Sequence, residues 1–350
     1  MVTPLAELAH ERYLSPWQRF DMDDVPKARY AEGLWVITVY YNPCKYKTRR
    51  ANFDLFAESL KRAGIPLLTV ECAFGDEPFE LPDSCHPIRL RSASLLWQKE
   101  RLLNLAASWL PASAQSVAWV DCDVIFLNER WATKTVELLK EHAVVQLFEK
   151  CVRLEQGNLM IEAADIVTSF AAVTGKDRSV LNTQRYDAHG HTGYAWAMRR
   201  EIFDAVGLYE AAVSGSADHF MAHASYGHVG FCVENALKQD STQIDHFRRW
   251  GSAFYELVQG KLAVVPGAIV HLWHGSLAKR DYFNRMWKIT DSGFNPNTDL
   301  MIEPGKPIEW APRVRHEKPK LVAYFDEYFK SRQEDGDTVS SNKQKNRRIA

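Results

Sequence analysis

The sequence predicts an α/β fold: a mixed, mostly parallel central sheet flanked by helices. Three observations carry it. Apolar, β-branched runs alternate with helical periodicity from Leu34 onward, and the first two runs bracket one helix in the order β-α-β. The run SVAWVDCDVIFLN, Ser116 to Asn128, ends its first half in two carboxylates, at the carboxyl edge where open α/β sheets bind ligands. Parallel crossovers are nearly always right-handed, so the first unit sets the hand of a doubly wound sheet.

Residues 1–30 are polar and broken by prolines, and read as a leader. LWVITVYY, Leu34 to Tyr41, is the first strand, and NPCKYKTRR the loop after it. Phe53, Phe56, Ala57 and Leu60 share a helical face, and Gly64-Ile65-Pro66 stops that helix before the second strand, PLLTVECAF. A short strand around HPIRLRS leads to a helix from Leu95 to Leu110, capped by Ser94 and ended by Pro111. SVAWVDCDVIF follows as one strand. Beyond Trp131 come a helix in TVELLKEH, a strand in AVVQLFEK and a polar, mixed region to Gly190. HTGYAWAMRREIFDAVG reads as a strand and a helix ended by Gly207, and GSADHFMAHASYG as another helix. LAVVPGAIVHLWHG is the last apolar strand. Residues 331–350 are polar and poor in aromatics, which predicts disorder and leaves 31–330 as a single domain.

With 350 residues, 46% of them apolar, the chain can bury a sizeable core. Lys and Arg number 43 against 44 Asp and Glu, a formal net charge of -1, so no general basic field recruits nucleic acid and any phosphate binding is local. The six cysteines, Cys44, Cys72, Cys85, Cys122, Cys151 and Cys232, are scattered without a C-x-x-C pair, and a reducing, cytoplasmic location is expected. No apolar run approaches the roughly 18 residues of a membrane span. Neither G-x-x-x-x-G-K-[ST] nor G-x-G-x-x-G occurs, so no motif points to ATP or NAD.

D-x-D occurs three times, but Asp21-Met-Asp23 and Asp335-Gly-Asp337 lie in polar segments. Only Asp121-Cys-Asp123 sits between apolar runs, where an unpaired carboxylate costs roughly several kcal/mol. Two readings fit: Asp121 caps a turn while Asp123 pairs with an arginine, or the pair holds Mg2+ or Mn2+ bridged to a substrate diphosphate. Tyr40, Tyr41 and Asn42, at the edge of the first strand, either meet a nucleotide base or ribose or simply form a turn with Pro43. His271 and His274 are core histidines, or they belong with SLAKRDYFNR to a segment closing over a diphosphate, whose charge Arg280 and Arg285 meet. Trp196 is core or a platform for a sugar ring. Asp218 is favoured in the first turn of its helix by the helix dipole alone. His219 and His223, four apart with His228 nearby, raise a zinc hydrolase, although the glutamate of H-E-x-x-H is missing.

At these residues the chain resembles the nucleotide-sugar-dependent glycosyltransferases of the Rossmann-like GT-A fold, with a layout similar to the β-1,4-galactosyltransferases and related bacterial enzymes. The likeness runs from about Leu34 to Arg285. LLWQKERLLNLAASWLPASAQSVAWVDCDV carries a basic residue and Leu-Leu-Asn ahead of the acidic motif, and TGYAWAMRREIFDAVG matches a glycine- and aromatic-containing segment. The resemblance implies a metal-dependent, inverting hexosyl transfer from a nucleotide-diphosphate sugar, a UDP-sugar by expectation, to a glycan or other hydroxyl acceptor. It implies that residues 31–128 bind the nucleotide and 129–330 complete the metal and acceptor sites. Asp123 with Asp121 would hold the Mn2+ or Mg2+, with His274 as the closing ligand and His271 its competitor. Donor contacts would come from Tyr40, Tyr41, Asn42, Lys99, Arg101, Asp121, Trp196 and Arg280, with Arg101 favoured on its helix because it precedes Leu-Leu-Asn. Asp218 would be the base, although Ser216-Ala217-Asp218 stands where the family has Gly-Glu-Asp. That departure keeps a non-catalytic nucleotide-sugar-binding domain as a further alternative.

Overall fold

The structure, a computed structural model, describes residues 22, 27–157, 165–183, 188–228, 230, 232–282 and 284–336. Most of the expected leader, and the expected tail beyond 336, lie outside the described residues. The apolar runs form strands β1 (Leu34–Tyr40), β2 (Leu67–Phe74), β3 (Ile88–Ser92), β4 (Ser116–Val120), β5 (Val124–Phe126), β6 (Val144–Gln146), β7 (Lys150–Arg153), β8 (Asp165–Thr168), β9 (Ala195–Arg199), β10 (Leu262–Val264) and β11 (Ala268–His271). Helices of seven residues or more are α1 (Lys47–Arg62), α2 (Lys99–Ser108), α3 (Trp131–Leu139), α4 (Phe170–Lys176), α5 (Arg200–Val206), α6 (Ala217–Ala224), α7 (Ser241–Val258), α8 (Arg285–Asp291) and α9 (Pro319–Ser331).

A seven-stranded sheet runs in the order β10-β6-β9-β4-β1-β2-β3. Its strands β1 to β4 are parallel, as are β6 and β10, and β9 lies antiparallel between β4 and β6. With helices on both faces, this is the mixed α/β layout expected. The two-residue period of β1 sends Val36 and Tyr40 to the core shared with Phe53, Phe56 and Leu60 of α1, and Ile37 and Val39 to the core shared with Leu102, Leu103 and Ala106 of α2. Each such buried Val, Ile, Leu or Phe side chain contributes about 1.5–3 kcal/mol. Among the described residues no helix is long and apolar enough to cross a membrane.

A smaller sheet, β5-β11-β7-β8, has its own core around Ile125, Val152 and Val270. It corrects two expectations. SVAWVDCDVIF is not one strand: it breaks at Asp121–Asp123, so that β4 belongs to the large sheet and β5 to the small one. LAVVPGAIVH breaks likewise between β10 and β11, where Pro266 brings no N–H and Gly267 takes a φ of 105°. A third correction concerns the helix expected from Leu95. It starts at Lys99, because Ser94 Oγ accepts a hydrogen bond from Trp310 N at 2.9 Å and Trp97 N donates to Val213 O at 3.1 Å, which ties the preceding segment to other parts of the chain instead of to a helical turn. The tail expected to be disordered from Ser331 is not so at its start: Arg332 and Glu334 are 4% and 1% exposed. Their charges oppose each other, so the segment buries as a pair what neither could bury alone.

Candidate active site

Both chain breaks point the same chemistry at one place. The antiparallel register sets His271 of β11 opposite Val124 of β5, and Leu272 N donates to Asp123 O at 2.9 Å, so His271 arrives beside Asp123. Three residues later the chain turns and returns His274: its Nε2 lies 2.8 Å from Asp123 Oδ2 and 3.1 Å from His271 Nε2. His271 Nε2 is 3.8 Å from Asp123 Oδ1. Asp123, His271 and His274 are the one group among the described residues that offers three ligand atoms within 4.8 Å of one another. The two histidines expected to compete therefore lie side by side in one group.

The donor chemistry of this group fits a divalent cation. Arg280 Nη2 donates to His274 Nε2 at 2.8 Å, so that nitrogen carries a lone pair, which also faces the carboxylate. Asp123 Oδ1 is buried without a hydrogen-bond partner among the described residues. Burial holds the His271 imidazole well below its ordinary range, hence neutral and able to ligate. Burial pushes the Asp123 carboxyl up, and the charge of Arg280 is among the influences that draw it down below its ordinary range. A cation would accept the lone pairs that here crowd round one point.

Asp121 stands outside that group. Lys99, the first residue of α2, reaches between two carboxylates, with Nζ 2.7 Å from Asp121 Oδ1 and 3.2 Å from Asp218 Oδ2. Burial would lower the Lys99 amine, but Asp121 and Asp218 outweigh it and keep it charged. Burial, with the charge of Asp218, pushes Asp121 up to about 6 against the pull of Lys99, and its neighbour on α2, Glu100, up to about 8.

A cleft of about 1310 Å3 contains all of these groups. Of the expected residues Tyr41, Lys99, Asp121, Asp123, Asp218, His271, His274, Arg280 and Arg285 line it. Four expected donor contacts do not. Tyr40 points to the opposite core and donates to Glu80, one residue out of phase with Tyr41. Asn42 forms the turn, accepting from Tyr46 N at 2.9 Å and donating to Tyr46 O at 3.0 Å. Arg101 follows Lys99 by about 200° around the helix and so faces away, paired with Glu210 at 3.2 Å. Trp196 is fully buried in β9, between β6 and β4, its indole donating to Thr192 O at 2.8 Å.

Among the described residues no such zinc group forms either. His219 and His223 do share a face of α6, but the His223 nitrogens are spent in a chain, Nε2 3.2 Å from His189 Nδ1 and Nδ1 3.3 Å from His228 Nδ1. Burial holds His219 down at about 3 and His223 well below its ordinary range.

The residues that composition concealed are Arg49, Arg332 and Glu334. Glu334 Oε1 lies 3.7 Å from His274 Nδ1, and the carboxylate is gripped by Arg49 at 3.1 Å and Arg332 at 2.6 Å. Asp335, from a D-x-D in the expected tail, accepts from Lys47 N at 3.0 Å and Thr48 N at 2.8 Å at the start of α1. Gly275 allows this close approach: with φ at 89°, a Cβ there would meet Arg332 O at 2.8 Å. The one signal in the sequence for Arg332 and Glu334 is that they directly follow the helix that buries Leu321, Phe325 and Phe329.

No protein-family profile and no curated protein matches the chain. Among solved structures it is similar to a Drosophila β1,4-galactosyltransferase 7 mutant in complex with manganese, UDP-Gal and xylobiose, with a TM-score of 0.35 and 12% identity over 82% of this chain and 98% of that one. It is also similar to glucosyl-3-phosphoglycerate synthase from Mycobacterium tuberculosis in complex with Mn2+, UDP and glucosyl-3-phosphoglycerate, with a TM-score of 0.37 and 14% identity over 82% of this chain and 90% of that one. Mannosyl-3-phosphoglycerate synthase from Rubrobacter xylanophilus gives 0.37 and 14% over 79% and 84%. These are likenesses of fold, and the ligands belong to those proteins.

Proposed function

We propose that the cleft is the active site of a metal-dependent glycosyltransferase that moves a sugar from a nucleotide diphosphate, UDP in the first instance, to a hydroxyl acceptor with inversion. The observation that carries this reading is the convergence of Asp123, His271 and His274 at the carboxyl edge of β4, inside one large cleft. Two imidazoles and one carboxylate favour Mn2+ over the harder Mg2+, which prefers oxygen ligands. Bound there, the cation supplies positive charge to the departing diphosphate.

The chain's own groups take the remaining roles. Arg280, touching His274, extends the positive charge toward the diphosphate. Asp218 takes the proton of the acceptor hydroxyl, and Lys99 fixes that carboxylate beside Asp121. Tyr41 borders the cleft but is buried against Trp97 and Phe329, so it backs the place proposed for the base or ribose.

Thermal melts with UDP, GDP and CMP, each with and without Mn2+ or Mg2+, test the reading. Selective binding at a hundred times Kd adds about 2.7 kcal/mol to the folded state. UDP is expected to raise the melting temperature when Mn2+ is present; no metal-dependent shift with any nucleotide removes the proposal. Asp123→Ala is expected to abolish Mn2+ binding, sugar transfer and donor hydrolysis while the protein stays folded.

A further inference from the structure

Among the described residues seven cationic side chains line the cleft, and five of them are answered by a carboxylate: Arg49 and Arg332 by Glu334, Lys99 by Asp121 and Asp218, Arg153 by Asp165, Lys238 by Asp291. Arg280 and Arg285, 6% and 4% exposed, have no carboxylate partner among the described residues. Their polar contacts are neutral. Arg285 Nη1 donates to Tyr328 Oη at 3.1 Å and Nη2 to Ser216 Oγ at 2.6 Å, while Nε is buried without a partner among the described residues. The guanidinium also stacks over the Tyr282 ring at 4.8 Å, and Arg280 donates to that tyrosine's hydroxyl at 3.0 Å. Such contacts fix a guanidinium without cancelling its charge. Burial pushes the Tyr328 hydroxyl up, yet the charges of Arg285 and Arg332 outweigh it and pull it below its ordinary range.

The backbone is shaped around Arg285. Gly215 and Ser216 both take left-handed conformations, with φ of 91° and 77°, and a Cβ on Gly215 would come within 3.2 Å of the guanidinium. A non-glycine residue in that region is strained, and here it delivers its hydroxyl to Arg285. Two residues further on, in the first turn of α6, is Asp218. The two arginines meet at Tyr282 but have different attachments: Arg280 touches His274 and its charge acts on Asp123, whereas Arg285 is attached to the turn that carries the proposed base. One donor diphosphate, largely neutralised by its own cation, accounts for the first and leaves the second without a counter-charge.

We infer that Arg285 binds an oxyanion, a phosphate or a carboxylate, carried by the acceptor near the hydroxyl that Asp218 deprotonates. That the anion belongs to an acceptor rests on the glycosyltransferase reading; the oxyanion site itself rests on the geometry of Arg285.

Sulfate and acetate, each against chloride at matched ionic strength, are titrated into wild-type protein and Arg285→Gln, with and without saturating UDP and Mn2+, and the melting temperature is read. One of the oxyanions is expected to stabilise the loaded wild type, and Arg285→Gln to weaken that oxyanion about tenfold while leaving the UDP and Mn2+ affinities alone. A response to sulfate alone assigns a phosphate-bearing acceptor, and to acetate alone a carboxylate. The inference is overturned if neither oxyanion acts beyond chloride, or if Arg285→Gln binds them as the wild type does. It is also overturned if Arg285→Gln loses UDP as Arg280→Gln does, which would give Arg285 to the donor. Should Arg285→Gln fail to fold, Arg285→Lys keeps the charge but not the two-pronged geometry, and unchanged oxyanion affinity there is equally fatal. If UDP and Mn2+ do not bind at all, the enzymatic reading falls, and the nucleotide-free titration still decides the oxyanion site.

Discussion

Glu100 is a buried carboxyl next to the lysine that joins two other acids, and burial pushes it up to about 8 although Lys99 pulls it down. A carboxyl raised on folding gives stability that is complete below its ordinary range near 4.5 and is lost as the pH climbs through about 8. Glu100→Gln, neutral and of the same shape, removes that loss. Since each tenfold change in proton affinity on folding is worth about 1.4 kcal/mol, the variant is expected to exceed the wild type by a few kcal/mol at pH 9 and to match it near pH 4. Urea midpoints at both pH values check this, and coincident midpoints at pH 9 reject it. Site residues were legible where the residue type itself demands chemistry, as with Asp123 and His274. They were illegible where phase decides: Lys99 and Arg101, or Tyr41 and Tyr40, differ by one or two positions and face opposite ways.

At the level of elements, helix and strand alternation could be read from periodicity, but the crossings between sheets could not. β4 and β5 together are one apolar run in which only Asp121, Cys122 and Asp123 interrupt the ladder, and β5 is too short at three residues to show a period of its own. Yet the crossings build the site, since His271 meets Asp123 only through the pairing of β11 with β5. Gly267 lies at the second crossing, where a Cβ would approach Asn128 Cβ to 3.1 Å and the left-handed φ of 105° suits glycine. Gly267→Val is expected to destabilise the protein by about 1–3 kcal/mol and to weaken Mn2+ binding by displacing β11. Denaturant melts and Mn2+ titration measure the two effects; a variant with wild-type values in both would show that the crossing does not govern the site.

Across the whole molecule, the opposite ends of the described chain meet at His274. Arg49 on α1 and Arg332 after α9 clamp Glu334 behind the imidazole, while Asp335 caps α1. Groups placed behind a metal-binding histidine commonly matter by about 10–100-fold in metal affinity. Truncation after Ser331 leaves the buried Leu321, Phe325 and Phe329 in place and is expected to lower Mn2+ affinity by about that factor. Calorimetric titration, with circular dichroism to verify folding, tests it, and full affinity in the shortened chain would assign the clamp no part in metal binding.

The same clamp fixes the order in which a ribosome can deliver a working protein. Asp123 and His274 emerge first and can find each other within the growing sheets, but Glu334, sixty residues after His274, joins its two guanidinium partners only later. A nascent chain halted before that point would present its acidic and imidazole groups without the brace behind them. The brace is therefore fastened after the groups it supports.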